Sequence, residues 1–179
     1  MSAKRSPVII ITGTPGTGKS THAQLLVEES PIPLQHINVG EVVKDRGLHE
    51  GFDEEWQSYM VDEDKLLDEL EPLASEGGII LDWHTCDMFP ERWADLVVVL
   101  RCNHTILWER LEKRGYSLKK VQENNEAEIM GIVYDEAKES YQPEIVVELE
   151  SGSMDDLQEN VGRMVTWINQ WLADHTASQ

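Results

Sequence analysis

Val8-Ile9-Ile10-Ile11-Thr12 runs into Gly13-Thr14-Pro15-Gly16-Thr17-Gly18-Lys19-Ser20 and then Thr21-His22-Ala23-Gln24-Leu25-Leu26-Val27, and this stretch decides the fold. The β-branched apolar run predicts a buried strand, the last block a helix, and the glycine-rich segment the loop between them. That order makes the middle block a phosphate-binding P-loop. Backbone N–H groups ring an anion at the positive end of a helix, and Gly13, Gly16 and Gly18 permit the close approach. In such a loop the Lys19 ammonium reaches the outer phosphates of a nucleoside triphosphate, and the Ser20 hydroxyl is a ligand of Mg²⁺. Gly-x4-Gly-Lys-Ser/Thr arises by accident in about one chain of this size per hundred, and the flanking strand and helix make accident rarer.

Working outward, the 179 residues are 40% hydrophobic, enough for one α/β domain spanning 1–179. No apolar run reaches transmembrane length, and Met1–Pro7 lacks the apolar centre of a signal peptide, so an intracellular protein away from the membrane is expected. Cys86 and Cys102 show no pairing pattern and read as small buried hydrophobes. The formal net charge is −19, from 34 acidic and 15 basic residues. Six of the fifteen cations fall between Arg101 and Lys120, so the rest of the chain is more acidic than the average. Residues 41–76 carry thirteen acids against Lys44, Arg46 and Lys65. Such surfaces repel nucleic acid outside the basic patch and either attract a basic protein or are simply solvated faces.

Apolar runs at Ile79-Ile80-Leu81, Leu96–Leu100 and Ile145-Val146-Val147, with Gln35–Val39, supply four more strands, and helical spacing lies between them. Runs without alternation suit a parallel sheet covered on both faces, so the expected fold is a doubly wound five-stranded parallel sheet with ligands at the strands' carboxyl ends. Helices are predicted over 40–47, 61–74, 106–113 and 126–140, the last with Ile129, Ile132, Val133 and Ala137 inward. The acidic stretch 50–59 is poorly periodic. Residues 115–124 read as a mobile loop or a helical lid. A final helix follows the N-cap candidate Ser153, with Leu157, Val161, Met164, Ile168 and Leu172 inward and Trp167 and Trp171 expected in the core. Two inserts, about 36–60 and 113–125, are expected to be mobile parts of the one domain.

Asp82 ends the third strand, where a carboxylate holds Mg²⁺ or its water beside Ser20. His84, two residues on, either accepts a proton from a water near the phosphates or ties Asp82 or a carbonyl in place. Arg110 and Arg114 lie four apart on one helix face leading into the basic segment, placed to clamp phosphates as a lid excludes water.

The P-loop block, with Ile37-Asn38-Val39-Gly40, Val61-Asp62-Glu63-Asp64-Lys65, Asp82-Trp83-His84, Phe89-Pro90-Glu91-Arg92-Trp93, Val98–Arg101 and Arg110–Tyr116, closely resembles the adenylate kinase isoenzyme 6 family. These are nuclear adenylate-kinase-like ATPases of small-ribosomal-subunit assembly, and the likeness runs from about Val8 to Trp171. The resemblance implies a nucleoside-monophosphate-kinase type of P-loop fold with a monophosphate-binding part and a lid. It implies two activities, ATP plus AMP to two ADP and ATP hydrolysis, with Mg²⁺ and ATP required. Nucleotide contacts would fall on Gly16, Gly18, Lys19, Ser20, Thr21 and Arg114, with Asp82 and His84 at the catalytic centre. A basic small-subunit ribosomal protein, the pre-ribosome and a location in nucleus and cytoplasm come with the resemblance, and direct RNA contact stays open. Unlike ordinary adenylate kinases, the chain offers Lys44 where an arginine is usual, and Asp82-Trp83-His84 replaces an arginine-bearing loop. Fewer forked donors then meet the AMP phosphate, which favours ATP hydrolysis. A metabolic monophosphate kinase without an assembly role, and a binding module that uses ATP only to fix its shape, are the rival readings.

Overall fold

The computed structural model describes residues 6–54 and 58–177. Lys4 and Arg5, too short a basic run for an import signal, and residues 55–57 of the acidic stretch lie outside the described residues. In chain order the elements are β1 (Val8–Thr12), α1 (Lys19–Glu29), β2 (Gln35–Asn38), α2 (Val39–Asp45), β3 (His49–Asp53), β4 (Ser58–Val61) and α3 (Glu63–Glu76). There follow β5 (Ile79–Asp82), β6 (Leu96–Arg101), α4 (His104–Lys113), α5 (Leu118–Met130), α6 (Ile132–Ser140), β7 (Val146–Glu150) and α7 (Met154–Ala177).

Five strands pair in parallel in the order β2-β5-β1-β6-β7, with β1 central. Alternate residues of β1 enter different cores, which is why the run shows no polar alternation. Val8 and Ile10 join Leu66 and Leu70 of α3, while Ile9 and Ile11 join Leu26 of α1 and Val161 and Ile168 of α7. Register sets the functional edge: Asp82 lies beside Ile11 on one side and Asn38 on the other, level with the start of the P-loop.

Caps set the helices. Asn38 accepts from Glu41 N, Asp62 from Lys65 N and Ser153 from Asp156 N, each at the helix's third residue, where an orphan N–H needs an acceptor. Trp171 is buried and Trp167 packs against the same core as α7's inward stripe, as expected of core aromatics. The Phe89–Trp93 block is scaffold. Phe89 and Trp93 are buried against each other, Arg92 forks onto Glu71 of α3 at 2.6 and 3.0 Å, and the Trp93 indole N–H donates to the same carboxylate at 2.8 Å.

Two expectations are corrected. The poorly periodic acidic stretch contributes to an antiparallel hairpin, β3 with β4, whose Phe52 and Met60 are exposed. In β3 the face of His49, Gly51 and Asp53 is only half-buried and the face of Glu50 and Phe52 is exposed, so the burial contrast is too shallow to select apolar residues on alternate positions. The helix expected over 126–140 is two, broken at Gly131 with φ 68°, and Ile129 and Ile132 face solvent. The inward residues of α5 are Val121, Asn125 and Glu128. A buried carboxylate sets this helix's rotation, so apolar spacing misphased it.

Among the described residues no helix is long and apolar enough to cross a membrane. Both cysteines are buried and unpaired. Burial, then the charges of Glu136 and Asp87, pushes the Cys86 thiol up to about 12, and burial raises Cys102. The thiol, not the thiolate, therefore persists at pH 8. Native protein at pH 8 is expected to react negligibly with an aromatic disulfide reagent and to release two equivalents on denaturation. Rapid native labelling would contradict this packing.

Candidate active site

Gly18 caps α1 in the left-handed region, φ 93°, so the chain can turn from loop to helix with its N–H groups pointing inward. Gly16 has the same φ, and a Cβ there would lie 2.9 Å from Leu107 of α4 and 3.0 Å from Leu111. The loop is thus pressed against α4 with no room for a side chain. Lys19 Nζ donates to the carbonyls of Gly13 at 3.0 Å and Thr14 at 3.3 Å. Burial lowers its pKa to about 8, with Asp82 opposing that shift and Arg114 adding to it. An arriving phosphate would favour the charged form.

The Ser20 hydroxyl donates to Asp82 Oδ2 at 2.6 Å, and Asn38 Nδ2 approaches Ser20 Oγ at 3.4 Å. His36 Nε2 lies 2.9 Å from the same Asp82 oxygen. Of the two roles open to His84, the tie to Asp82 is filled instead by His36, which strand pairing brings from β2. His84 is exposed at the edge of the cleft, and the protein crowded around its ring, followed by the charges of Lys19 and Lys120, lowers its pKa from the usual histidine value. The ring is therefore neutral at physiological pH and able to accept a hydrogen bond from a water.

Two cavities meet at the P-loop. The larger, about 510 Å³, is lined by Gly16, Gly18, Thr21, Arg110, Arg114 and Ser151 among others. The smaller, about 180 Å³, is lined by Lys19, Ser20, Asn38, Asp82, Trp83 and His84, with Pro15, Arg114 and Tyr116. Arg114, the C-cap of α4, borders both. Lys19, Asp82, His84 and Arg114 thus come together as expected from their positions in the chain. Arg110 does not share that cleft. It lines the larger cavity while Nη1 donates to the carbonyls of Gly16 at 3.2 Å and Ser151 at 2.9 Å, so it braces the loop. Trp83 closes the small cleft over Gly40, where a Cβ would come 3.1 Å from the indole.

Sequence reading missed three contributors. Ser151, after β7, hydrogen-bonds Thr17 O at 2.5 Å and walls the larger cavity, but an isolated serine between strand and helix carries no signal. His22 is buried behind the loop. Its Nδ1 lies 2.8 Å from Gly18 O, which can only accept, so Nδ1 carries the proton and Nε2, 3.2 Å away, accepts from the Asn160 amide of α7. Burial holds its pKa below the usual histidine value. His36 could have been found only by knowing that β2 pairs with β5.

Ser20 and Asp82 are hard oxygen donors of the kind Mg²⁺ takes. Among the described residues no group of three or more His, Cys, Asp or Glu forms a metal cage.

Residues 9–131 match the family model described as an AAA domain. The chain is 56% identical over 169 residues to the adenylate kinase isoenzyme 6 homolog of Schizosaccharomyces pombe, covering 94% of this chain and 95% of that one. It is 50% identical over 176 residues to the adenylate kinase isoenzyme 6 homolog FAP7 of Saccharomyces cerevisiae, covering 98% and 89%. Among solved structures, shikimate kinase from Acinetobacter baumannii in complex with shikimate aligns with TM-score 0.62 at 16% identity, covering 92% of this chain and 94% of that one. At that identity the likeness speaks for the fold alone, which is that of P-loop kinases.

Proposed function

The chain belongs to the adenylate kinase isoenzyme 6 family, an enzyme family of P-loop phosphotransferases, and from that premise we propose that it moves the terminal phosphoryl group of ATP chiefly to water, and more slowly to AMP. The observation that carries this reading is the single cleft in which Lys19, Ser20, Asp82, His84 and Arg114 converge, at the mouth of a larger cavity suited to a nucleoside. Gly13, Gly16, Gly18 and Thr21 form the cradle, Lys19 and Arg114 balance charge developing on the phosphoryl oxygens, and neutral His84 orients the attacking water. Ser20 and Asp82 would hold Mg²⁺, which when bound neutralises phosphate charge. Lys19 and Arg114 are the cations lining the small cleft, so an AMP phosphate entering there would have to share them with ATP. That supports water as the main acceptor. In this reading the 36–60 insert, with its hairpin, is the monophosphate side and the segment 113–125 the lid.

The larger role is ribosome assembly: nucleotide state moves the lid and alters affinity for a basic small-subunit ribosomal protein during rRNA maturation, in nucleus and cytoplasm. The net charge of −19 supports such a partner. Pull-downs of that purified ribosomal protein by ATP- and ADP-loaded enzyme, with phosphate release followed in parallel, test it. Nucleotide-dependent, salt-sensitive capture with an altered hydrolysis rate is the expected result. Equal or absent capture in both states, with an unchanged rate, would remove the assembly role and leave the chemistry.

A further inference from the structure

Glu128 is a charged residue in the interior, 3% exposed, on the inward face of α5. Its Oε1 accepts from the Thr14 hydroxyl of the P-loop at 2.8 Å. Its Oε2 accepts from Arg101 Nε and from the backbone N–H of Cys102, each at 2.9 Å. Arg101 also donates through Nη2 to Glu128 O at 2.9 Å and through Nη1 to Glu148 at 2.8 Å. Every oxygen of this buried carboxylate therefore has a partner, the condition under which a buried charge is tolerated. The network joins four pieces: the P-loop, the end of β6, β7 and α5, the helix whose first half lies in the lid segment.

Thr14 is the node. Its carbonyl accepts from Thr17 N at 3.2 Å, from the Thr17 hydroxyl at 2.8 Å and from Lys19 Nζ at 3.3 Å. The side chain of Thr14 makes its hydrogen bond to Glu128 alone among the described residues. A loop held at this point from behind keeps its carbonyls, and through them Lys19, in one arrangement.

Resting on the phosphoryl-transfer reading above, we infer that Glu128 is a positioning residue for the reaction. It touches no substrate; it acts through the Thr14 hydroxyl to fix the phosphate loop, and it ties that loop to α5 and so to the lid. The signal was present in the chain only as an acid at an interior position, where apolar spacing had placed Ile129.

The test compares wild type with Thr14→Val, which is nearly isosteric and leaves the Arg101 ion pair intact, Thr14→Ser, which restores the hydroxyl, and Glu128→Gln. Steady-state kinetics with Mg-ATP and melting temperature are read on each. Thr14→Val is expected to lower kcat about tenfold with KM changed less than about threefold, because misplacing reacting groups weakens the transition state more than the ground state. Thr14→Ser should return kcat to within about threefold of wild type. The double variant Thr14→Val with Glu128→Gln should lose no more than the worse single one: glutamine also weakens the Arg101 and Cys102 contacts, but the Thr14 hydroxyl acts only through residue 128, so its removal adds nothing once that residue is displaced. Wild-type kcat in Thr14→Val, or additive losses in the double variant, would overturn the inference even if melting temperatures fall. An inactive wild type would overturn the phosphoryl-transfer reading itself, and the inference with it.

Discussion

Lys19→Ala is expected to reduce Mg-ATP turnover by about a thousandfold while the protein stays folded. The ammonium is held by two backbone carbonyls of its own loop, Gly13 O and Thr14 O, and by nothing in either hydrophobic core. Removing it leaves the sheet and helices intact, so melting should shift by only a few degrees. Its loss takes away a cation aimed at the phosphates, and removing a single preorganised donor from a developing oxyanion commonly costs about a hundred- to a thousandfold. Burial adds to the effect, since a charge partly stripped of water interacts more strongly with an anion. Steady-state phosphate release and a thermal melt on the same preparation check both halves. Near wild-type rates would remove the P-loop from the reaction, and a collapsed melt would make Lys19 structural.

Asp82→Asn should cost about a hundredfold or more in kcat, with Mg²⁺ required at higher concentration. Asp82 is 3% exposed, and its Oδ2 accepts from Ser20 Oγ at 2.6 Å and faces His36 Nε2 at 2.9 Å. Asparagine keeps the shape, and its carbonyl oxygen can still accept from Ser20 and His36, but it lacks the charge that a divalent cation needs. Hydroxyl and carboxylate are then no longer a matched pair of hard ligands. Activity measured against Mg²⁺ concentration reports the effect directly. A parallel fall in kcat with an unchanged Mg²⁺ midpoint would place the metal elsewhere and leave Asp82 as an anchor for Ser20 and His36.

Where burial dictates residue type, the chain could be read in advance. The strands β1, β5 and β6 are unbroken apolar runs because both faces of the sheet are covered, and the loop after β1 announces itself by its glycines and Lys19. Asp82 and Arg114 followed from their places at a strand end and a helix end. Less visible were contacts made by charged groups in the interior. Glu128 reads as a surface acid, yet it fixes the rotation of α5 and leaves Ile129 and Ile132 in water. Arg101, a cation at the ligand end of β6, is occupied by Glu128 and Glu148. His36 and Ser151 reach the site through strand pairing and a loop far along the chain, and no local spacing encodes either meeting. The hairpin of β3 and β4 escaped for the opposite reason: the inward face of β3 is only half-buried and is filled by His49, Gly51 and Asp53, so its period is not marked by apolar residues.

A cleft that delivers the phosphoryl group mainly to water, as proposed, is recognised by its products. The direct measurement incubates the pure protein with Mg-ATP, with and without excess AMP, and quantifies ADP, AMP and inorganic phosphate separately. Phosphate and ADP in equal amounts, with little change when AMP is added, are the expected products. Consumption of AMP with two ADP formed for each ATP, and no phosphate released, would contradict the proposal and make the small cleft a true monophosphate site.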